Sequence, residues 1–378
     1  LSKRNSIMRI LALEPYYGGS HKAFLDGWSA VSRHDWSVFT LAAYKWKWRM
    51  RHSAITFADE INLCVDKGQE WDLIFCSDML NLAEFLGLAP GTVGKLPAVV
   101  YFHENQLTYP VRFESERDYQ FAMTNMTTAL AATSVWFNSA FHRDSFLEAL
   151  SAFLGKMPDC QPTDAVERIR SKSLIYPPGV NAIERRDERK AGPLRILWAG
   201  RWEHDKNPED FFKALKIIKA AGTNFRVSVI GEQFREMPEV FGWARQYFSE
   251  HIDRWGYQES RTEYEKALKE ADVFVSTANH EFFGISAVEA GLAGAYPVLP
   301  MRLAYPEILG PGKEEGIEEF FYDGTVADLS DRLIALAERV EKGCLPGEDT
   351  DRLIRLMERY KWDNLGRVLD QALENIFE

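Results

Sequence analysis

The fold of this chain is decided by the stretch from Ser276 to Pro300, which reads S-T-A-N-H-E-F-F-G-I-S-A-V-E-A-G-L-A-G-A-Y-P-V-L-P. An apolar, β-branched run beginning at Val273 leads into it, which is typical of a buried parallel strand. A polar loop with Glu281 follows, and Gly284 precedes an amphipathic helical pattern. Tyr296 begins the next apolar run, so the stretch predicts a strand, loop, helix and strand of a parallel sheet.

The loop of this unit predicts a ligand site. Ligands of open parallel sheets bind beyond the carboxyl ends of the strands, and phosphates bind at helix N-termini. Gly284 and Ser286 would offer bare N–H groups and a hydroxyl there. Glu281 and Glu289 add carboxylates, one on the loop and one two turns into the helix. Carboxylates repel phosphate, which indicates that they bind something else, such as sugar hydroxyls.

Length and composition indicate a soluble enzyme of two domains. The chain has 378 residues, of which 46% are hydrophobic and 27% charged, and no run reaches transmembrane length. The net charge of −11 excludes a nucleic-acid binder that uses its whole surface, so such contact requires a local patch. Scattered cysteines without C-x-x-C spacing predict reduced thiols, a cytoplasmic location and no zinc site. They are Cys64, Cys76, Cys160 and Cys344.

The first half of the chain opens on a similar plan. Met8–Leu13 is an apolar strand pattern that runs into the pair Gly18 and Gly19 and then a helical pattern, as in a Rossmann-like half. The dinucleotide fingerprint G-x-G-x-x-G is missing. Paired glycines either let a ligand approach the backbone or make a plain tight turn. Ser20–Lys22 adds donors at the start of the helix, and His21 at its centre is a candidate acceptor-binding residue.

A later strand pattern, Pro97–Phe102, delivers a histidine and three polar residues. A lone histidine at a strand end is more often structural, but its neighbours on one short loop favour a functional site. We therefore predict that His103 is a functional residue. The three neighbours are predicted to contact the acceptor and are Glu104, Asn105 and Gln106.

Cations and aromatic residues alternate from Tyr44 to His52, in the order Y-K-W-K-W-R-M-R-H. Aromatic rings beside cations suit unpaired bases and phosphates. The alternative is an amphipathic segment with buried tryptophans and solvated cations, which the residues alone favour somewhat. The candidate acceptor-binding residues of this basic–aromatic patch are Lys45, Trp46, Lys47, Trp48, Arg49 and Arg51.

A charge-rich segment, Glu184–Gly192, predicts the boundary between two domains. Residues 1–184 form the predicted first domain, which binds the acceptor. Residues 193–361 form the predicted donor domain, which restarts the architecture. The amphipathic helix of residues 362–378 is predicted to pack back on the first domain.

Two cations follow the first strand pattern of the second half, in the loop Gly200–Lys206. Arg201 and Lys206 can neutralise a diphosphate as it leaves a sugar, since charge accumulates there while the glycosidic bond breaks. Arginine grips two oxygens and lysine supplies a point charge. No D-x-D motif accompanies either site, so we expect no metal and no cofactor besides the donor substrate. The alternative is a solvated loop pair.

These elements resemble the GT-B fold of retaining, GT4-like glycosyltransferases, an α/β fold with two Rossmann-like domains facing a central cleft. Gly200-Arg201 with Lys206 resembles their G-R-x4-K element, and Glu281 with Glu289 resembles their donor carboxylates. His103 matches their active-site histidine by placement. The resemblance implies a nucleotide-sugar site that also includes Gly18, Gly19, Phe283, Gly284, Ile285 and Ser286.

Three N-terminal segments resemble the tRNA-queuosine mannosyltransferase family more narrowly: Glu14–Lys22, Lys45–Arg51 and Tyr101–Pro110. This resemblance implies retaining transfer of mannose from GDP-mannose to the queuosine base of a tRNA, with the basic–aromatic patch on the anticodon. We expect the acceptor hydroxyl to attack from the face that GDP leaves. His103 would orient the sugar or acceptor, and Glu281 would fix a sugar hydroxyl.

Two other functions remain open. The first is a GT4-like transferase that uses another nucleotide sugar and a saccharide, lipid or small-molecule acceptor, with the two tryptophans of the patch facing a membrane acceptor but no stable insertion. The second is a non-catalytic protein that binds nucleotide sugar or RNA. That function predicts a broken phosphate site, and the presence of Arg201, Lys206 and Glu281 counts against it.

Overall fold

The computed structural model describes residues 7–111, 117–186, 189, 191–234, 236–310, 317–343 and 348–377. The chain divides into two units, Leu1–Gly179 with Trp362–Glu378, and Val180–Lys361. The division falls at Gly179 rather than at the predicted Glu184, because Val180 and Ile183 already belong to the core of the second unit.

The first unit is built on a six-stranded parallel sheet with the order β2-β1-β3-β4-β5-β6. Its strands are β1 (Arg9–Tyr17), β2 (Asp35–Ala42), β3 (Leu73–Ser77), β4 (Ala98–Phe102), β5 (Ser134–Phe137) and β6 (Ser173–Ile175). Its helices before Gly179 are α1 (Gly19–Val31), α2 (Trp46–Val65), α3 (Leu82–Leu88), α4 (Tyr119–Ala131), α5 (Ala140–Leu154) and α6 (Asp164–Arg170).

The second unit repeats this architecture with a six-stranded parallel sheet in the order β12-β11-β10-β7-β8-β9. Its strands are β7 (Leu194–Ala199), β8 (Phe225–Ile230), β9 (Ile252–Gly256), β10 (Val273–Val275), β11 (Tyr296–Pro300) and β12 (Phe321–Tyr322). Its helices are α7 (Pro208–Ala220), α8 (Val240–Tyr247), α9 (Arg261–Glu270), α10 (Ile285–Ala293), α11 (Tyr305–Leu309), α12 (Val326–Glu341) and α13 (Glu348–Glu358). The predicted α/β fold class is confirmed.

Apolar residues fill both faces of the central strands, because helices cover both sides of each sheet. In β1, Leu11 and Leu13 enter one apolar layer, whereas Ile10 and Ala12 enter the opposite layer. This alternation follows from the two-residue repeat of a strand. It leaves the carboxyl ends of the strands as the places where polar residues gather.

The last helix, α14 (Trp362–Glu374), belongs to the first unit and packs on α1. Asp370, 3% exposed, accepts hydrogen bonds from Trp28 Nε1 at 2.9 Å, Ser32 Oγ at 2.8 Å and the Arg33 N–H at 2.9 Å. Trp362 packs where Gly27 and Gly179 leave room, since a Cβ on either glycine would lie 2.1 or 2.4 Å from its ring.

Two further features bear on the environment of the chain. Cys64, Cys76 and Cys160 are free thiols, while Cys344 lies outside the described residues. Among the helices in the described part of the chain, every one is too short or too polar to cross a bilayer.

Candidate active site

In the second unit, the strand order reverses between β7 and β10, and the loops after these strands carry the predicted donor residues. Such a switch point opens a crevice at the carboxyl ends of the strands. Backbone hydrogen bonds join the two loops, since the N–H groups of Asn279 and His280 donate to the Asp205 carbonyl at 2.8 and 3.3 Å. The loop that carries Arg201 and the loop that carries Glu281 are therefore hydrogen-bonded to one another.

Lys206 lies at the centre of these two loops. Its Nζ donates to the His280 carbonyl at 2.8 Å and to Glu281 Oε2 at 3.1 Å, and it lies 3.1 Å from Asp205 Oδ2. Burial lowers the pKa of Lys206, but the charges of Glu281 and Asp205 outweigh it and raise that pKa. The ammonium group is thus held in place and charged before any ligand arrives, which suits it to stabilise a leaving diphosphate.

Arg201 lies close enough to the Lys206 ammonium group for its positive charge to offset part of the rise in the pKa of Lys206. Its side chain is 38% exposed, and Nη1 lies 3.2 Å from Glu203 Oε2. Burial, followed by the charge of Lys206, lowers the pKa of His280 to about 4, and Arg201 contributes to the same shift. Burial and the two predicted phosphate-binding cations therefore together keep the His280 imidazole neutral.

Gly231, which follows β8, sets the course of the Arg201 loop. Its φ is +148°, and a Cβ there would lie 1.8 Å from the carbonyl oxygen of Gly200. Only glycine permits this approach of two backbones. Trp202 then donates its N–H to the Glu232 carbonyl at 2.9 Å, which ties the loop to β8. Sequence reasoning missed this role, although a glycine directly after an apolar strand is a signal for close approach.

Gly284 directly precedes helix α10 and has a φ of +103°. A Cβ at this position would lie only 2.9 Å from Tyr305 Cε1. No side chain caps this helix within the described residues, so the N–H groups near Ile285 and Ser286 are available to an anion. Phe283 is different, because it is 5% exposed and its ring packs 5.4 Å from that of Tyr360. Its ring is therefore part of the packing around Tyr360, and its predicted donor contact stays a prediction.

The two predicted donor carboxylates lie in different environments. Glu281 pairs with Lys206, whereas Glu289 is 6% exposed and pairs with α9. Glu289 accepts from the Tyr264 hydroxyl at 2.7 Å and lies 2.8 Å from Arg261 Nη1. A ribose bound at Glu289 would have to share it with these two residues, which sequence reasoning missed.

In the first unit, the strand order reverses between β1 and β3, and a buried polar cluster lies at that point. Glu14 from β1 faces His21 Nδ1 at 3.2 Å, and the ring centroids of His21 and His103 are 4.0 Å apart. The backbone N–H of His103 donates to Asp78 Oδ1 at 2.8 Å. His21, a predicted acceptor-binding residue, is only 5% exposed and faces Glu14.

Glu14, His21 and His103 each offer a ligand atom within 4.8 Å of the other two, a spacing that a metal ion could occupy. Burial lowers the pKa of His21, but the charge and hydrogen bond of Glu14 outweigh it and raise that pKa to about 9. A metal would have to displace this proton, because only neutral imidazole is a ligand. The cluster is therefore accounted for as an ion pair beside a second imidazole.

The loop after His103 is held by its own side chains. Asn105 is fully buried, and its Oδ1 accepts the N–H groups of Leu107 at 3.0 Å and Thr108 at 2.9 Å. Gln106 is 8% exposed and donates from Nε2 to Glu104 Oε1 at 3.2 Å. Of the three predicted acceptor residues, the partly exposed Glu104 is therefore best placed for direct contact.

The first glycine pair also has two separate roles. Gly18 lies against Ala43, because a Cβ at Gly18 would be 2.4 Å from the Ala43 Cβ. Gly19 has a φ of +53° and open space around its missing side chain. The pair therefore packs on one side and leaves an open approach on the other, as a backbone that meets a ligand requires.

The basic–aromatic patch is the start of α2, and the structure divides it. Trp48 is 62% exposed, and its ring is tilted against that of His52 with 4.9 Å between the centroids. Lys45 and Lys47 are exposed beside it. Trp46 instead packs on Phe121 at 5.1 Å. The other two cations are tethered, since Arg49 Nε donates to the Ala42 carbonyl at 2.9 Å and Arg51 bonds Gln120.

The fold and this site define the class of protein. Two parallel α/β units, with cations, a bare helix N-terminus and carboxylates at the switch point of the second, are the GT-B architecture of a glycosyltransferase. Residues 180–343 match the family model "Glycosyl transferases group 1". HepE from Anabaena, solved with UDP, has a TM-score of 0.69 at 15% identity and is covered in full by 98% of this chain. Sucrose-phosphate synthase from Thermosynechococcus elongatus has a TM-score of 0.70 at 14% identity, with 98% of this chain and 99% of that one covered.

The particular family follows from the first half of the chain. Residues 9–180 match the model "tRNA-queuosine alpha-mannosyltransferase N-terminal". The tRNA-queuosine alpha-mannosyltransferase of Drosophila melanogaster is 37% identical over 311 residues, which are 79% of this chain and 81% of the relative. The chain belongs to the tRNA-queuosine alpha-mannosyltransferase family, and the predicted glycosyltransferase activity is confirmed at that level.

Proposed function

We propose that this protein transfers mannose from GDP-mannose to the queuosine base of a tRNA, with retention of the α configuration. Membership of the family supports the acceptor and the sugar. The observation that carries the reaction type is the Lys206 ammonium, which is fixed at the switch point of the second unit by Glu281 and the His280 carbonyl. A group of this kind stabilises the charge that a departing nucleoside diphosphate develops.

The donor half of the proposal assigns one task to each group. Arg201 and Lys206 hold the diphosphate, and the N–H groups at the start of α10 bind its oxygens. Glu281 turns from Lys206 to a sugar hydroxyl when the phosphates take up the positive charge. No metal takes part in this proposal, because the two cations supply the neutralisation.

The acceptor half assigns the remaining chemistry. The acceptor hydroxyl attacks from the face that GDP leaves, and its proton passes to the leaving phosphate. His103 orients the sugar or the acceptor hydroxyl. The basic–aromatic patch holds the anticodon arm, with Trp48 as a stacking surface and the lysines on phosphates. The same proposal puts the reaction in the cytoplasm, which the free thiols of the described residues support.

The decisive experiment incubates the protein with radiolabelled GDP-mannose and queuosine-containing tRNA. Parallel reactions replace the donor with UDP-sugars or the acceptor with queuosine-lacking tRNA. We expect label in the tRNA only when GDP-mannose and queuosine are both present, and release of that label by an α-mannosidase. Equal labelling of queuosine-lacking tRNA would overturn the acceptor, and transfer from a UDP-sugar alone would overturn the donor.

A further inference from the structure

The first unit contains a buried ion pair to which the proposed transfer gives no task. Glu14 is 4% exposed and His21 is 5% exposed. A buried ion pair adds little net stability, because removing both charges from water costs about as much as their attraction returns. The informative feature is therefore what the pair touches, and its neighbour is the ring of His103 at 4.0 Å.

The carboxylate of Glu14 is immobilised by two strands. Its Oε1 accepts the Tyr16 N–H at 2.8 Å and the Ser77 hydroxyl at 3.0 Å, and its Oε2 faces His21 Nδ1 at 3.2 Å. Because two donors occupy Oε1, the second oxygen is directed at the imidazole. Glu14 thus holds a proton on His21 from a fixed position.

His103 is immobilised in the same way. Its backbone N–H donates to Asp78 Oδ1 at 2.8 Å, and its backbone carbonyl accepts from Asn138 Nδ2 at 3.0 Å. Its ring is nearly perpendicular to that of Phe24, with 5.3 Å between the centroids, whereas it is only tilted against the ring of His21. These contacts fix the position of His103, so its neighbours can act on it mainly by setting the charge of its ring.

Two imidazolium rings in contact at a buried site repel one another strongly, so the pair carries one proton at most near neutral pH. That proton resides on the ring that has a carboxylate partner. We propose that Glu14 and His21 are positioning residues, which hold a buried imidazolium against His103 so that His103 stays neutral and can accept a hydrogen bond from a substrate hydroxyl. This inference rests on the proposed role of His103 in the transfer.

Other groups around the two rings act in the same direction. Glu104 after β4 adds to the effect of Glu14 on the pKa of His21. Asp78 after β3 does so only in its ionised form, because burial raises the pKa of Asp78 to about 8. Burial, His21 and then His142 from α5 lower the pKa of His103 well below its ordinary value. Two neutral groups complete the surroundings, because burial raises the pKa of the Tyr101 hydroxyl and the Cys76 thiol.

The test follows the imidazole nitrogens by NMR during a pH titration of the full chain, with His103→Gln used for assignment. In the wild type, we expect His21 to stay charged and His103 to stay neutral through the physiological range. Glu14→Gln keeps the hydrogen bonds but removes the charge, and His21→Phe keeps the ring contact but removes the cation. In both variants the titration midpoint of His103 should rise by about one pH unit.

Activity gives the second readout. The neutral form of His103 is the active one, so a higher midpoint means that kcat/KM is lost at a higher pH as the solution is acidified. The acidic limb of the profile should therefore move upward in Glu14→Gln and His21→Phe, and Glu14→Asp should restore part of the shift. Asp26→Asn is the matched control, because it breaks the exposed Lys22–Asp26 pair on the same helix.

Two results would overturn the inference: a wild-type His103 that titrates near the ordinary value, or variants that lose activity equally at every pH while the His103 midpoint stays fixed. The second result would mean that the pair only supports α1. Failure of the proposed function is distinguishable, since the midpoints would then shift as expected while no mannose reached tRNA. If Glu14→Gln does not fold, the wild-type titration and His21→Phe still decide.

Discussion

At the residue scale, Lys206 is the side chain on which the donor chemistry depends. We expect Lys206→Ala to lower turnover by about a hundredfold, as the loss of one preorganised donor to a developing oxyanion does. The measurement is kcat with saturating GDP-mannose. Lys213→Ala is the matched control, because it removes an exposed lysine paired with Asp210 on α7. Equal turnover in Lys206→Ala and the control would remove the diphosphate assignment.

Lys206→Ala also has a pH signature that does not depend on turnover. The pKa of His280 is held at about 4 by burial and then by the charge of Lys206. Loss of that charge should raise the pKa of His280, so the imidazole gains its proton at a higher pH than in the wild type. An NMR titration of the histidines measures this, and an unchanged midpoint for His280 would show that the two groups are not coupled.

Gly231 makes a second prediction at this scale. Gly231→Ala places a methyl group against the Gly200 carbonyl and should displace the Arg201 loop, which lowers turnover even where the protein folds. Gly222→Ala is the matched control, since Gly222 also has a positive φ, of +78°, but open space around it. Turnover should fall much further in Gly231→Ala than in the control. Equal losses would mean that backbone strain alone is responsible.

At the scale of elements, local signals in the sequence predict the secondary structure on either side of the Arg201 and Glu281 loops. Asn207 caps α7 by accepting the Asp210 N–H, and Ser260 caps α9 by accepting the Glu263 N–H. Capping and hydrophobic repeats act over a few residues, so they are visible in one segment. The parallel pairing of β10 with β11 follows from the same short stretch.

The parts that could not be predicted depend on residues distant in sequence. Nothing near Glu14 indicates that Ser77 would help to fix it, and nothing near Glu289 indicates Tyr264 and Arg261 as partners. These contacts arise only when strands take their order in the sheet. Burial is a second limit, since a pattern of polar residues looks the same whether a side chain builds the loop, as Asn105 does, or faces a ligand.

The return of α14 to the first unit gives a prediction for this element. Trp362→Ala empties the space beside Gly27 and Gly179, and a buried tryptophan replaced by alanine costs about 3–5 kcal/mol of the free energy of unfolding. Urea unfolding followed by circular dichroism measures the change. Val368→Ala, at a 51% exposed position of the same helix, should have little effect. A similar loss in both variants would contradict tight packing of Trp362.

At the scale of the whole molecule, a net charge of −11 and a tRNA substrate are compatible only if the cations are concentrated where the nucleic acid binds. The basic–aromatic patch provides such a concentration, and its members differ in what they can do. Arg49 and Arg51 are tethered to Ala42 and Gln120, whereas Lys47 and Trp48 are exposed. A test of RNA binding should therefore alter the exposed pair.

Lys47→Ala and Trp48→Ala should weaken tRNA binding in two distinguishable ways. Loss of a phosphate contact lowers the slope of log K against log salt by about 0.7, the value for one charge on a single strand. Loss of a stacking ring costs about 1–3 kcal/mol with little change in slope. Filter binding at several salt concentrations separates the two, with Lys67→Ala, an exposed lysine just beyond the far end of α2, as the control. Because neither side chain belongs to the predicted nucleotide-sugar site, GDP binding should stay unchanged. Unchanged tRNA affinity in both variants would mean that the patch serves another purpose.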